Sequence, residues 1–247
     1  MDPTLQSHSA SATADACANF ASLLGSAEAV LFDFDGVIAD SEVISLTTLR
    51  DALGQFGLDF TLEETRKTFL GTSLKTITAH VDQHGSGHAT GFPTIWEEAL
   101  FARFAKDLKP VPHVFDVIEW LDRHRIPFCI ATSSTFRRLS AALAAMRVKN
   151  RFEHVFSAEQ VARGKPAPDL FELAASKLNV RPQTCLVIED SPHGIRAARA
   201  AGMQTVGFTG GQHLRDLQAE HSALLQDAGA GLILPSFEGF TKLVRVG

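Results

Sequence analysis

Short apolar runs alternate with amphipathic stretches along most of the chain, and this alternation is the first structural signal in the sequence. The apolar runs predict strands at Ala29–Phe34, Phe128–Thr132, His154–Ser157, Cys185–Glu189, Thr205–Phe208 and Leu232–Leu234. The amphipathic stretches between them predict helices at Val114–Arg123, Arg137–Met146, Asp169–Leu178 and Gly194–Ala201. Several strands are apolar almost throughout, as strands covered on both faces are. The pattern therefore predicts an α/β fold with a doubly wound parallel sheet.

The region between Glu42 and Lys109 breaks this alternation because it contains no convincing strand. Its periodicity instead predicts helices at Ile44–Gln55, Leu62–Phe69, Leu74–Gln83 and Trp96–Lys106. We predict a tail at 1–28, an α/β core at 29–41 and 110–247, and an inserted helical domain at 42–109. Pockets often form at domain interfaces, so we expect a site near the start of the insertion.

The composition is that of an ordinary soluble protein, with 45% hydrophobic residues, 21% charged residues and a formal net charge of −5. The sequence contains no basic stripe of the kind that binds nucleic acid. It also contains no apolar run that approaches the roughly 20 residues needed to span a membrane. The Ala- and Ser-rich start lacks Lys and Arg, so it is predicted to be a loosely ordered tail leading into a short helix rather than a targeting signal. The three scattered cysteines fit a reducing cytoplasm, and we expect a monomer or small homo-oligomer.

Polar side chains follow the predicted strands at the points where the strands end. Asp33 and Asp35 follow the first strand, Thr132 and Ser133 the second, and Glu189 and Asp190 the fourth. Ligand sites in open α/β sheets gather at the carboxyl ends of the strands, so these side chains are expected to converge together with Lys165 of the GKPAPD segment. Carboxylates at this density can hold Mg²⁺, which prefers oxygen ligands and often shares a substrate phosphate.

Each of these short motifs is common when it stands alone. A D-x-D pair is usually a surface loop or a cap, Thr-Ser-Ser is usually a helix N-cap, and Lys-Pro is usually a turn. Their occurrence in this order, each at or near the end of a predicted strand, favours a functional site.

The motifs DFDGV (33–37), ATSS (131–134), GKPAPD (164–169) and IEDSPHGI (188–195) resemble those of the haloacid dehalogenase superfamily of aspartate-nucleophile phosphotransferases. The helical insertion resembles the cap of the branch that contains sugar phosphatases and β-phosphoglucomutase. The resemblance implies a Rossmann-like core with an α-helical cap. It also implies a cytoplasmic, Mg²⁺-dependent enzyme that acts on a small phosphorylated metabolite.

The resemblance also implies a role for each matching residue. Asp33 corresponds to the nucleophile that becomes an aspartyl phosphate, and Asp35 to the general acid and base whose backbone carbonyl also binds the metal. Thr132 and Ser133 correspond to the phosphate-binding residues. Lys165 corresponds to the lysine that pairs with nucleophile and phosphate. Asp33, Asp35, Glu189 and Asp190 are the implied metal ligands.

Three functions remain open at this point: a phosphatase of sugar or sugar-acid phosphates, a phosphosugar mutase, and a dehalogenase or catalytically silent binding protein. Asp35 argues against the dehalogenase, which resembles this family but lacks that residue. Ser45 stands where mutases of the branch carry a histidine, and Leu70 stands where they tend to carry a basic residue. These departures favour the phosphatase. Among cap residues, Lys75 is our candidate for substrate binding.

The segment GFTGGQH (207–213) is rich in glycine but lacks the spacing of a dinucleotide-binding loop. We predict a flexible turn after a strand.

Overall fold

The computed structural model describes residues 3–69, 72–86 and 89–245 of the chain, and the side chains of 15–69, 72–86 and 89–243 within them. Its contacts divide the chain into two compact units. The first contains Met1–Asp40, Pro110–Phe136 and Lys149–Gly247, and the second contains Ser41–Lys109 and Arg137–Val148. Residues 137–148, which the sequence analysis assigns to the core, thus group with the helical insertion.

The first unit is built on a six-stranded sheet in which every neighbouring pair of strands is parallel. The strands are β1 (Ala29–Phe32), β2 (Phe128–Thr132), β3 (Val155–Ser157), β4 (Cys185–Glu189), β5 (Gln204–Phe208) and β6 (Leu232–Leu234). Their order, β3–β2–β1–β4–β5–β6, reverses direction between β1 and β4. The predicted doubly wound, Rossmann-like sheet is confirmed, and such sheets bind ligands where the strand order reverses.

The other regular elements of the described residues are mainly α-helices. In chain order they are α1 (Pro3–Ser26), α2 (Glu42–Gly54), α3 (Leu62–Phe69), α4 (Leu74–His84), α5 (Phe92–Asp107), α6 (Val114–His124), α7 (Phe136–Ala145), α8 (Asp169–Leu178), α9 (Pro192–Ala200), α10 (Gln218–Asp227) and α11 (Glu238–Arg245). Residues of α8 and α9 pack with β1, β2 and β4 in one buried apolar cluster that includes Leu31, Phe171 and Val187. This cluster fixes the strands whose carboxyl ends carry the acidic residues.

The start of the chain differs from the prediction of a loosely ordered tail leading into a short helix. α1 is a 24-residue helix, and the side chains of Cys17, Phe20 and Leu24 on it are buried. The Phe20 ring lies 6.1 Å from that of Phe237 and 5.4 Å from that of Phe240, measured between centroids. The helix forms because these apolar side chains are spaced at three and four residues and find a partner surface at the other end of the chain.

The described part of the second unit is helical, with α2–α5 and most of α7. Arg138 on α7 donates from Nη2 to Ser45 Oγ at 2.8 Å, and its guanidinium lies about 6 Å from the ring centres of Trp96 and Phe104. Ser45 also donates to the carbonyl of Ser41 at 2.9 Å. Ser45 is therefore a buried, hydrogen-bonded link between α2 and α7. Leu70 lies outside the described residues.

Among the residues that the structure describes, no helix is both long and apolar enough to cross a membrane.

Candidate active site

The first acidic residues lie where β1 ends. The amide of Asp33 still donates to the carbonyl of Ile188 on β4 at 2.9 Å, so its backbone is held by the neighbouring strand. The chain then turns through Gly36, which has a positive φ of 81°, and the Gly36 amide donates to Ala39 at 2.8 Å. This turn sets Asp33 and Asp35 at the carboxyl edge of the sheet, beside the point where the strand order reverses.

Lys165 joins two of the carboxylates. Its Nζ lies 2.7 Å from Asp33 Oδ1 and 2.7 Å from Glu189 Oε2, and it also donates to the carbonyl of Ala131 at 2.9 Å. All three charged side chains are almost completely buried, with 3% of Lys165, 10% of Asp33 and 1% of Glu189 exposed. One ammonium thus connects the ends of β1 and β4, although Lys165 itself comes from the loop before α8.

Negative charge is in excess at this edge of the sheet. Burial, and then the charge of Glu189, raise the pKa of Asp33 to about 8, although Lys165 acts in the opposite direction. Burial opposes the charge of Lys165, but Asp33 and Glu189 outweigh it and raise the pKa of the ammonium. Lys165 is therefore protonated near neutral pH, and a further cation nearby would favour the ionised form of Asp33.

The carboxylate of Asp190 lies beside the same pair. Asp33, Glu189 and Asp190 each offer an oxygen, and these oxygens lie within 4.8 Å of one another. A Cβ at Gly36 would come within 1.8 Å of Asp190 Oδ2, so the missing side chain at 36 leaves the space that this carboxylate occupies. Buried carboxylate oxygens are the donors that Mg²⁺ and similar hard cations bind, and the excess charge at Asp33 fits such a cation.

Glu189 is held by hydrogen bonds to both of its carboxylate oxygens. Its Oε2 accepts from Lys165, and its Oε1 accepts from the amide of Ser191 at 3.1 Å and from the Ser191 hydroxyl at 2.7 Å. The Ser191 hydroxyl also accepts from the Gly194 amide and so caps the N-terminus of α9. These bonds fix the orientation of Glu189.

Asp35 is oriented by hydrogen bonds from the loop that follows β2, and that loop is in turn bonded to the end of β3. The Ser134 hydroxyl donates to Asp35 Oδ2 at 2.6 Å, and the Ser157 hydroxyl donates to the Ser134 carbonyl at 2.6 Å. The amide of Ser134 in turn donates to Thr132 Oγ1 at 3.0 Å. The loop after β2 is thus a rigid support for Asp35.

The structure brings together Asp33, Asp35, Thr132, Lys165, Glu189 and Asp190 at one edge of the sheet. Ser133 directly follows Thr132, the last residue of β2, and is exposed. Lys75 lies in the second unit, on α4, and is exposed. Ser157, which bonds to Ser134 across the sheet, and His213 beside Asp190 were not predicted from the sequence, because each acquires its contact only through residues distant in the chain.

The chain is similar to known proteins over most of its length. The family model described as "Haloacid dehalogenase-like hydrolase" matches residues 30–208. The fructose-1-phosphate phosphatase YqaB of Escherichia coli is 32% identical over 180 residues, which are 72% of this chain and 94% of that protein. A phosphorylated carbohydrates phosphatase of Thermotoga maritima is 29% identical, over 72% of this chain and 83% of its own length.

A solved structure is similar over most of the chain as well. CbbY from Rhodobacter sphaeroides, crystallised in complex with phosphate, superposes with a TM-score of 0.69 at 26% identity, covering 85% of this chain and 95% of that one. The matched family segment begins in β1 and ends in β5, so it contains every residue of the buried Asp33–Lys165–Glu189 group. With that segment covering well over half of its length, the chain belongs to the haloacid dehalogenase-like hydrolase family.

Proposed function

We propose that the protein is a Mg²⁺-dependent phosphatase that hydrolyses a small phosphorylated metabolite, a sugar or sugar-acid phosphate, through an aspartyl phosphate on Asp33. The observation that carries the proposal is the buried Lys165 ammonium between Asp33 and Glu189, with an oxygen of Asp190 within 4.8 Å of theirs. Phosphoryl transfer depends mainly on positioning and charge, and this group supplies both.

Asp33, Glu189, Asp190 and the backbone carbonyl of Asp35 are the residues that would hold the metal. When bound, Mg²⁺ supplies positive charge that offsets the phosphate oxygens and the surplus of carboxylates. Thr132 and Ser133 are the proposed phosphate-binding residues, because they end β2 beside Asp33.

In the first step, a carboxylate oxygen of Asp33 forms a bond to phosphorus and the bond to the ester oxygen breaks. Asp35 gives its proton to that leaving oxygen. In the second step, Asp35 takes a proton from water, the water oxygen bonds to phosphorus, and Asp33 leaves as a carboxylate. Ser134 keeps Asp35 oriented for both transfers, and Lys165 remains protonated to offset the charge on Asp33.

The alternative is a phosphosugar mutase, in which a sugar hydroxyl takes the place of water. Two observations favour water. Ser45 replaces the histidine expected of mutases, and both its hydrogen-bonding roles are taken up within its own unit, by Arg138 and by the Ser41 carbonyl. Its single proton is thus donated to the Ser41 carbonyl, and its short side chain does not reproduce the reach of a histidine. Residues 42–109 as a cap, and Lys75 as a substrate contact in it, belong to the same proposal.

The test is a screen of phosphorylated metabolites with Mg²⁺, in which free phosphate is measured. We expect release from at least one sugar or sugar-acid phosphate, and none from the nearly isosteric Asp33→Asn variant, whose circular dichroism should match that of the wild type. A variant that released phosphate at the wild-type rate would remove Asp33 from the mechanism.

The mutase has its own assay, with β-glucose 1-phosphate primed by glucose 1,6-bisphosphate. If glucose 6-phosphate forms much faster than free phosphate, the mutase replaces the phosphatase. Silence across a broad panel and in this assay would instead indicate a binding protein.

A further inference from the structure

His213 lies against the carboxylate of Asp190. Its Nε2 is 3.4 Å from Asp190 Oδ2, and only 6% of the His213 side chain and 9% of the Asp190 side chain are exposed. His213 belongs to the glycine-rich segment that the sequence analysis predicted to be a flexible turn. An imidazole at this distance, enclosed by protein, restricts where the carboxylate can move.

The segment that carries His213 is held at several points. The Thr209 amide donates to the Leu234 carbonyl at 3.0 Å, and the Gln212 amide donates to Asp40 Oδ1 at 3.0 Å. The Gln218 side chain donates to the Thr209 carbonyl at 3.0 Å, and Leu214 is buried. These bonds tie the segment to β6, to the turn after β1 and to α10. The segment does follow a strand, β5, as predicted, but its hydrogen bonds argue against the predicted flexibility.

Two glycines leave the space, here called the slot, that the His213 ring occupies. A Cβ at Gly211 would lie 2.8 Å from both Cε1 and Nδ1 of the imidazole, and a Cβ at Gly36 would lie 3.0 Å from Cε1. The same Cβ at Gly36 would overlap Asp190 Oδ2. The imidazole and the carboxylate thus share a space that exists because positions 36 and 211 have no side chain.

A second histidine holds the main chain of Asp190. The Nε2 of His221, on α10, lies 2.5 Å from the Asp190 carbonyl oxygen. Because a carbonyl can only accept, His221 Nε2 carries the proton and donates it. Asp190 is therefore fixed at its backbone by His221 and approached at its carboxylate by His213.

We propose that His213 is a positioning residue, which holds the Asp190 carboxylate in the orientation that binds the metal. The inference rests on the metal site of the proposed function. Side chains that orient metal ligands typically change metal affinity or activity by about 10- to 100-fold when they are replaced. His213 is placed to orient Asp190 in this way. Ser191 and Lys165 are placed to orient Glu189.

The test is calorimetric titration of the metal-free protein with Mg²⁺ alone, without substrate. His213→Phe keeps a ring in the slot but removes the nitrogen that faces Asp190, and we expect Mg²⁺ to bind about tenfold more weakly or worse. His213→Gln retains an N–H donor and should recover part of the affinity. His124→Ala is the matched control, because His124 is exposed at the end of α6, where it contacts the Trp120 carbonyl. It should bind Mg²⁺ as the wild type does.

Circular dichroism identifies any variant that does not fold, and if His213→Phe is one, the smaller His213→Leu takes its place. A folded apolar variant with wild-type Mg²⁺ affinity overturns the positioning role. Recovery by glutamine supports it, because a purely space-filling role would not distinguish glutamine from leucine. Asp190→Asn separates the two proposals. If the wild type binds no Mg²⁺, or Asp190→Asn binds it equally well, the metal site itself is wrong.

Discussion

The Ser134 hydroxyl donates to Asp35 Oδ2 at 2.6 Å, and this bond joins the loop after β2 to the turn after β1. In the proposed mechanism Asp35 moves protons, so its orientation matters in each transition state. We expect Ser134→Ala to lower kcat by about ten- to hundredfold, because a hydrogen bond to a charged group contributes about 1.5–3 kcal/mol. KM should change little.

Steady-state kinetics on the best substrate of the screen measure this effect. Ser26→Ala is the control, because the Ser26 hydroxyl bonds only locally, to the Leu23 carbonyl at the end of α1, among the bonds described for it. An unchanged kcat in Ser134→Ala would show that Asp35 is oriented by other contacts.

Replacement of Lys165 should destabilise the protein as well as inactivate it. Lys165→Met leaves Asp33 and Glu189 buried without their shared cation, and breaking a buried pair in this way costs about 3–5 kcal/mol. The free energy of unfolding, measured in urea without metal, should fall by several kcal/mol.

A double variant tests whether the unpaired buried carboxylates cause the loss of stability in Lys165→Met. Glu189→Gln in the Lys165→Met background removes one of the unpaired carboxylates, so the double variant should be more stable than Lys165→Met alone. Additive losses from the two changes would contradict the charge explanation.

Metal removal should abolish turnover. We expect no phosphate release in EDTA and full recovery with Mg²⁺, whereas Ca²⁺ should bind but support little turnover because it takes more ligands at longer distances. Mg²⁺ should also raise the melting temperature, since it offsets the charge surplus, and Asp190→Asn should reduce that shift. Full activity after thorough chelation would rule out the metal-dependent mechanism.

The second unit offers a pH-dependent test of its own stability. Burial acts to raise the pKa of Asp51, but hydrogen bonds from Arg103 and Arg50 outweigh it and hold that pKa below its usual value. A lowered pKa stabilises the fold above the usual pKa of about 4, and this contribution is lost as the pH falls through the folded-state value.

We therefore expect Asp51→Asn to lower the urea midpoint at pH 7, and the difference from the wild type to shrink as the pH falls below about 4. Asp107→Asn, exposed at the end of α5, should have little effect across the range. A deficit in Asp51→Asn that does not shrink as the pH falls below about 4 would contradict a lowered pKa of Asp51.

The sheet could be predicted from the sequence because its strands are encoded locally. All six predicted strands are present, and β2, β4 and β6 have the predicted bounds. Strands covered on both faces are continuous apolar runs, and the polar residues that end them mark the ligand edge. The same reasoning brought Lys165 to this edge, but its direct pairing with Asp33 followed from the family resemblance, since nothing in the local sequence joins residues 33 and 165.

The contacts that support the site could not be predicted in this way. Ser157 resembles any strand-end serine until β3 pairs with β2, and only then does its hydroxyl reach the Ser134 carbonyl. The length of α1 was underestimated for a similar reason. Its Ala- and Ser-rich sequence has a weak amphipathic pattern, and its partners, Phe237 and Phe240, are more than 200 residues away.

The packing of Phe20 against Phe237 and Phe240 has a practical consequence for anyone who shortens the gene. The family segment ends at residue 208, so a protein cut to its limits would lack α1, β6 and α11 together. A protein cut only at its N-terminus would present both aromatic rings to solvent and would be prone to aggregate during expression. The first and last helices should be kept or removed together, because each shields apolar side chains of the other from solvent.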